Sequence, residues 1–141
     1  VNVRKERSGW RDEGLSQRHR TWGWDCPAVD IDWLVLEFDT GRAIAIVEYK
    51  NENAKICHAS HPSYQALIDL GNRASLPVFA CRYASDFSWF RPTPLNKVAH
   101  DFLPEVADMK EQEWVAFIYR LRGREMPAPL TARTGQATFR W

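Results

Sequence analysis

Ile31-Asp32-Trp33-Leu34-Val35-Leu36-Glu37-Phe38, then Asp39-Thr40-Gly41-Arg42, then Ala43-Ile44-Ala45-Ile46-Val47-Glu48-Tyr49-Lys50: this stretch decides the fold. Its two flanks are rich in β-branched, aromatic and aliphatic residues, which predicts strands over Ile31 to Phe38 and Ala43 to Tyr49. The link between them contains Gly41, free to take positive φ, so the strands form an antiparallel hairpin. The near-continuous apolar character predicts a central position for the hairpin, covered on both faces.

Working outward, residues 10–20 predict a short helix, weakened by Gly14 and given an apolar face only by Leu15. Residues 51–61 read as a polar loop. Pro62 suits the first turn of a helix capped by Ser60 or His61, with Ala66, Leu67 and Leu70 as its stripe and Gly71-Asn72 as its stop. Val78 to Tyr83 predicts a third strand and Phe87 to Phe90 a fourth, with Pro92 and Pro94 ending the ladder. Asp108 and Glu111 have capping-box spacing before a helix over Glu111 to Leu121, and Gly123 ends it. Trp114, Phe117, Ile118 and Leu121 share one face of that helix. The order of elements implies a mixed α/β sandwich, one domain over residues 1–141 with an irregular C-terminal tail.

The chain has 141 residues, 45% hydrophobic and 26% charged, which argues against wholesale disorder. Its longest apolar runs are far too short to span a bilayer, so no membrane partner is expected. Cys26, Cys57 and Cys81 are odd in number and far apart, which fits a reducing compartment rather than a disulfide scaffold. No apolar stretch follows the first positive charges, and a cytoplasmic location is expected. Net charge is +1, but the basic residues gather at the ends, Arg4 to Arg20 and Arg120 to Arg140, and the acids in the middle. That distribution fits a polyanion held around a cation-binding centre, against the plainer reading of solvated arginines.

Residues two apart on a strand point to the same face. Asp30 and Asp32 therefore share a face at the start of the first strand, and Glu48 and Lys50 share one at the end of the second. A register with Phe38 near Ala43 sets Asp32 opposite Glu48 and Asp30 opposite Lys50, with Cβ atoms about 4.5–5.5 Å apart. Converging carboxylates repel unless a cation lies between them. Mg²⁺ suits such a place, because it takes one or two carboxylates, keeps several waters and accepts phosphate oxygens. A neighbouring lysine is no metal ligand, but it can act on an attacking water or face charge developing on phosphate. The plainer alternative is a set of ordinary charges at an exposed hairpin end, with Lys50 paired to Asp30.

Pro27-Ala28-Val29-Asp30-Ile31-Asp32 followed by Val47-Glu48-Tyr49-Lys50 resembles the PD-(D/E)XK nuclease superfamily, which includes restriction endonucleases, Holliday-junction resolvases and RecB-type exonucleases. The resemblance covers about residues 25–85. It implies a restriction-endonuclease-like mixed β-sheet core flanked by helices, and an Mg²⁺-dependent DNA endonuclease in which Mn²⁺ substitutes. It further implies that Asp32 and Glu48 bind the metal, that the Tyr49 carbonyl completes its shell, and that Lys50 orients or activates water. Asp30 stands as a further ligand or a supporting group. In RecB-type members a glutamine on the following helix takes part, and Gln65 matches it. A small chain of this type is expected to be structure-specific or resolvase-like, phage-borne and homodimeric. The competing classes are an inactive nucleic-acid-binding or interaction module of the same fold, and a zinc-binding regulatory domain built on Cys57, His58 and His61.

Arg18-His19-Arg20-Thr21-Trp22-Gly23-Trp24 joins basic and aromatic side chains just before the hairpin. Arginine on phosphates with tryptophan on an unpaired base is one way to hold nucleic acid. Arg18, His19, Arg20 and Trp22 are the expected DNA-binding residues. The alternative places the tryptophans in the core.

Overall fold

The structure is a computed structural model that describes residues 13–55 and 59–128. Of these, residues 13–30 and Ala128 belong to one compact unit, and Ile31–Pro127 form a second. In the first, α1 (Glu13–Thr21) buries none of its residues. Glu13 in its first turn and Arg18, His19 and Arg20 in its last complement the helix dipole.

The second unit holds β1 (Trp33–Glu37), β2 (Arg42–Asn51), α2 (Pro62–Ala74), β3 (Val78–Tyr83), β4 (Phe90–Pro94), α3 (Lys97–Phe102) and α4 (Glu111–Leu121). The strands form one sheet in the order β1-β2-β3-β4. β1 and β2 are antiparallel, as are β3 and β4, whereas β2 and β3 are parallel and joined through α2. Strand alternation sorts the core into two layers. Ala45, Val47, Phe79 and Cys81 pack with Trp114, Phe117 and Leu121 of α4, while Ile46 and Val78 pack with Leu67 of α2. The result is a mixed α/β unit, a four-stranded mixed sheet flanked by helices. Val47 and Phe79 are fully buried, each stabilising the fold by about 1.5–3 kcal/mol. No described helix is long and apolar enough to cross a membrane.

Several elements differ from the sequence reading. The hairpin is not central as a whole. β1 is an edge strand with Trp33 and Leu34 half exposed, and of the two hairpin strands it is β2 that buries consecutive residues on both faces. α2 does not stop at Gly71-Asn72 but runs to Ala74, where Ser75 takes the left-handed cap at φ 57°. Gly71 serves packing instead, since a Cβ there would lie 2.2 Å from Val78 Cγ2. The helix is capped by His61, whose Nδ1 accepts from the Ser63 N–H at 3.3 Å.

The fourth strand spans Phe90–Pro94 rather than Phe87 to Phe90, and the prolines lie within it. Phe90 N–H and C=O both bond Met109, away from β3. By alternation Pro92 and Pro94 have their nitrogens on that same outer side, so the ladder to β3 loses no donor. α3 was not expected from the sequence. Asn96 caps it, accepting from Ala99 N–H at 2.9 Å and from Val78 N–H at 3.1 Å. α4 begins as expected, but Lys110 is its cap, and its N–H donates to Glu113 Oε1 at 3.3 Å. Asp108 accepts from Arg91 Nε at 2.5 Å instead.

Candidate active site

Trp33 pairs with Val47, Leu34 with Ile46 and Val35 with Ala45. Continued by one residue, this register sets Asp32 beside Glu48, the arrangement expected from the sequence. The route to it is different. Phe38 lies in the turn, Leu36 faces Ala43, and a bulge between Val35 and Leu36 supplies the offset.

Asp32 Oδ2 accepts a hydrogen bond from the Tyr49 N–H at 3.3 Å. The N–H and C=O of a strand residue point to the same side, so the Tyr49 carbonyl also faces the β1 side. Glu48 Oε1 lies 3.0 Å from Lys50 Nζ, with the Glu48 side chain 13% exposed and that of Lys50 35%. Both project on the face that α2 covers, two residues beyond the buried Ile46.

Burial pushes the Glu48 carboxyl above its ordinary range, and the Asp32 carboxylate adds to the rise, against the lowering effect of Lys50. The hydrogen bond to Glu48 raises Lys50, outweighing its partial burial. Lys50 is therefore a charged donor rather than a neutral base. Tyr64 of α2 is buried and contributes electrostatically to Lys50. The sequence places it one residue before Gln65, but its approach to Lys50 depends on how α2 lies across the sheet.

Gln65 itself is exposed, and its Nε2 donates to the Ala59 carbonyl at 2.7 Å. That contact braces the start of α2. The Tyr49 side chain points to the opposite face of the sheet, where its hydroxyl accepts from Trp114 Nε1 at 3.1 Å and burial pushes the phenol up to about 12. Arg82, the neighbour of Lys50 on β3, donates to the carbonyls of Glu52 at 3.0 Å and Ala54 at 2.5 Å. Those bonds fasten the chain leaving the site.

Asp30 is the last residue of the segment assigned to the first unit. Arg18, His19, Arg20 and Trp22 also belong there. Both arginines are exposed, Trp22 is 56% exposed, and the His19 and Trp22 rings lie 4.8 Å apart. Of the zinc candidates, Cys57 and His58 lie outside the described residues, and His61 caps α2. Arg120 lies over the Phe117 ring.

Among the described residues, no group of three or more His, Cys, Asp or Glu side chains is arranged to hold a metal. The donor set at the hairpin end is two carboxylates and one carbonyl. Oxygen donors of that number suit a hard cation that keeps most of its waters. No protein-family model, curated protein or solved structure matches this chain.

Proposed function

We propose that the chain is a metal-dependent nuclease of the PD-(D/E)XK type, with a restriction-endonuclease-like core, hydrolysing DNA phosphodiester bonds. The observation that carries this reading is the register that sets Asp32 of the edge side beside Glu48, with Lys50 3.0 Å from Glu48. Asp32, Glu48 and the Tyr49 carbonyl are the groups that would hold Mg²⁺ or Mn²⁺. Such an ion supplies a Lewis acid for phosphate oxygens and lowers the pKa of a coordinated water. Glu48 sits partly buried beside another carboxylate, which makes its charge costly unless a cation offsets it. Lys50, held charged, faces the negative charge that builds on the phosphate in the transition state.

The Glu48–Lys50 ion pair favours a second reading, in which the acid is already neutralised and the unit binds nucleic acid without cutting it. One panel separates the two: single-stranded, duplex, flapped and four-way DNA with Mg²⁺. The nuclease reading expects cleavage of at least one substrate, abolished by Asp32→Asn and by Glu48→Gln. Lys50→Ala is expected to lose about a hundredfold or more in turnover while keeping its affinity for DNA in Ca²⁺. Binding without cleavage on every substrate selects the second reading. Neither binding nor cleavage discards both.

A further inference from the structure

On the face of the sheet opposite Glu48 and Lys50, a cleft of about 270 Å³ is lined by Trp33, Tyr49, Tyr83, Phe87 and Phe90. Every lining side chain is aromatic. Behind it lies a set of near-parallel rings that begins in the core. Phe117 stacks on Trp114, Trp114 on Phe90, and Phe90 on Tyr83 and Phe87, with planes within 12–26° of one another. The outermost ring of the set is Phe87, which is 53% exposed. Across the cleft Trp33, 51% exposed, meets the Tyr49 ring edge-on at 6.0 Å.

Phe87 adopts φ 60°, a left-handed conformation that a bulky residue takes only under constraint. Its N–H donates to the Ala84 carbonyl at 2.8 Å, and the next N–H, of Ser88, donates to Asp86 Oδ1 at 3.0 Å. The loop thus holds a strained backbone whose effect is to present one exposed ring at the cleft, near-parallel to Tyr83 and Phe90. A planar ring laid on Phe87 would join that set of planes.

The cleft and the candidate active site lie on opposite faces of the same strand ends. Trp33 follows Asp32 in the chain, and Tyr49 lies between Glu48 and Lys50, so the same two strand ends carry both. We propose that the cleft is a base-stacking site, taking one unpaired nucleobase of a DNA strand whose backbone passes Asp32 and Glu48. The ligand class rests on the nuclease reading above. The geometry adds the preference: stacking needs an exposed base face, which a single strand or a distorted junction offers and a plain duplex does not.

The test measures binding in Ca²⁺ to a short single strand, to that strand with one abasic spacer at each position in turn, and to a plain duplex. The wild-type protein is expected to lose about tenfold in affinity at one spacer position. Trp33→Ala and Phe87→Gly are each expected to lose about tenfold on the intact single strand, to hold duplex affinity, and to become insensitive to the spacer. Phe87→Gly also relieves the left-handed backbone, so affinity falls without a fall in Tm. Should Trp33→Ala melt early, Phe87→Gly decides alone.

A spacer penalty that persists in the variants overturns the proposal. So do equal losses on single strand and duplex, and so does a wild-type protein that binds no DNA. Cleavage is a separate readout. A chain that shows the spacer signature but never cuts keeps the stacking site and loses the nuclease reading. One that cuts, with both variants unchanged in binding, does the reverse.

Discussion

The carboxylate of Glu37, at the end of β1, accepts two hydrogen bonds from the guanidinium of Arg122, just past α4, at 2.9 and 3.1 Å. Arg124 adds a contact to Glu37 at 3.2 Å and pairs with Asp39, and both arginines lie over the Phe38 ring. These arginines, which the sequence offers as phosphate contacts or solvated charges, tie the turn end of the hairpin to the last helix.

This clamp predicts a pH-dependent stability. The Arg122 hydrogen bond holds the Glu37 carboxyl below its ordinary value of 4.5. A depressed carboxyl contributes stability above its unfolded pKa and loses it as pH falls through the folded one. Wild-type Tm is expected to drop below about pH 4.5 more steeply than that of Glu37→Gln, as thermal melts across pH 3–7 would record. Arg122→Ala is expected to lower Tm more than Arg124→Ala, because the Arg122 side chain is 11% exposed and that of Arg124 44%.

Glu48 predicts the opposite sign. Its folded pKa lies above its unfolded value, so the native state becomes less favoured as pH rises from the unfolded pKa through the folded one. Glu48→Gln lacks that cost. It is expected to melt no lower than wild type at pH 7 while losing cleavage entirely. Calorimetry and a cleavage assay on one preparation check both halves.

Gly71→Ala sets two effects against each other. Alanine in a helix interior gains up to about 1 kcal/mol over glycine. Here the new methyl meets Val78 Cγ2 at 2.2 Å, the Leu76 carbonyl at 3.0 Å and Asn96 Nδ2 at 3.1 Å. Overpacking costs about 1–3 kcal/mol, so a net loss is expected in urea unfolding. Val78→Ala, costly alone, is expected to cost less in the Gly71→Ala background.

The exposed side chains of α1 give a prediction on salt. If Arg18 and Arg20 contact phosphates, Arg18→Ala with Arg20→Ala weakens binding to every DNA alike. Each lost contact lowers the magnitude of the log K against log salt slope by about 0.7–0.9. An unchanged slope returns both arginines to the solvent. Trp22→Ala, at a half-exposed position, is expected to keep its Tm and to weaken binding to branched DNA more than to duplex.

What was legible in the sequence was whatever repeats over a long enough window. The stripe of Trp114, Phe117 and Leu121 located α4, and the even positions of Glu48 and Lys50 put both on one face. The register that the sequence implies at Asp32 agrees with the structure although the turn lies elsewhere, because the bulge after Val35 supplies the offset. Shorter or context-bound features were not legible. α3 has six residues, too few for a periodic signal, and its cap Asn96 is also bonded to a strand 18 positions earlier. Gly71 looked like a stop because its true role depends on Val78, which sequence spacing does not reveal. At the site, residue types were readable. The burial of Glu48 and the approach of Tyr64 were not, since both depend on how α2 lies across the sheet.

Pro92 and Pro94 carry a consequence for assembly. An added strand needs donors along the edge it joins, and these two positions offer none on the outer side of β4. Phe90, the remaining residue of that alternation, is already bonded to Met109. The β4 margin is thus closed to sheet extension, which guards it against fibre-like edge pairing. A dimer formed by continuing the sheet from one copy to the next would have to run through β1, the strand whose start borders the candidate active site.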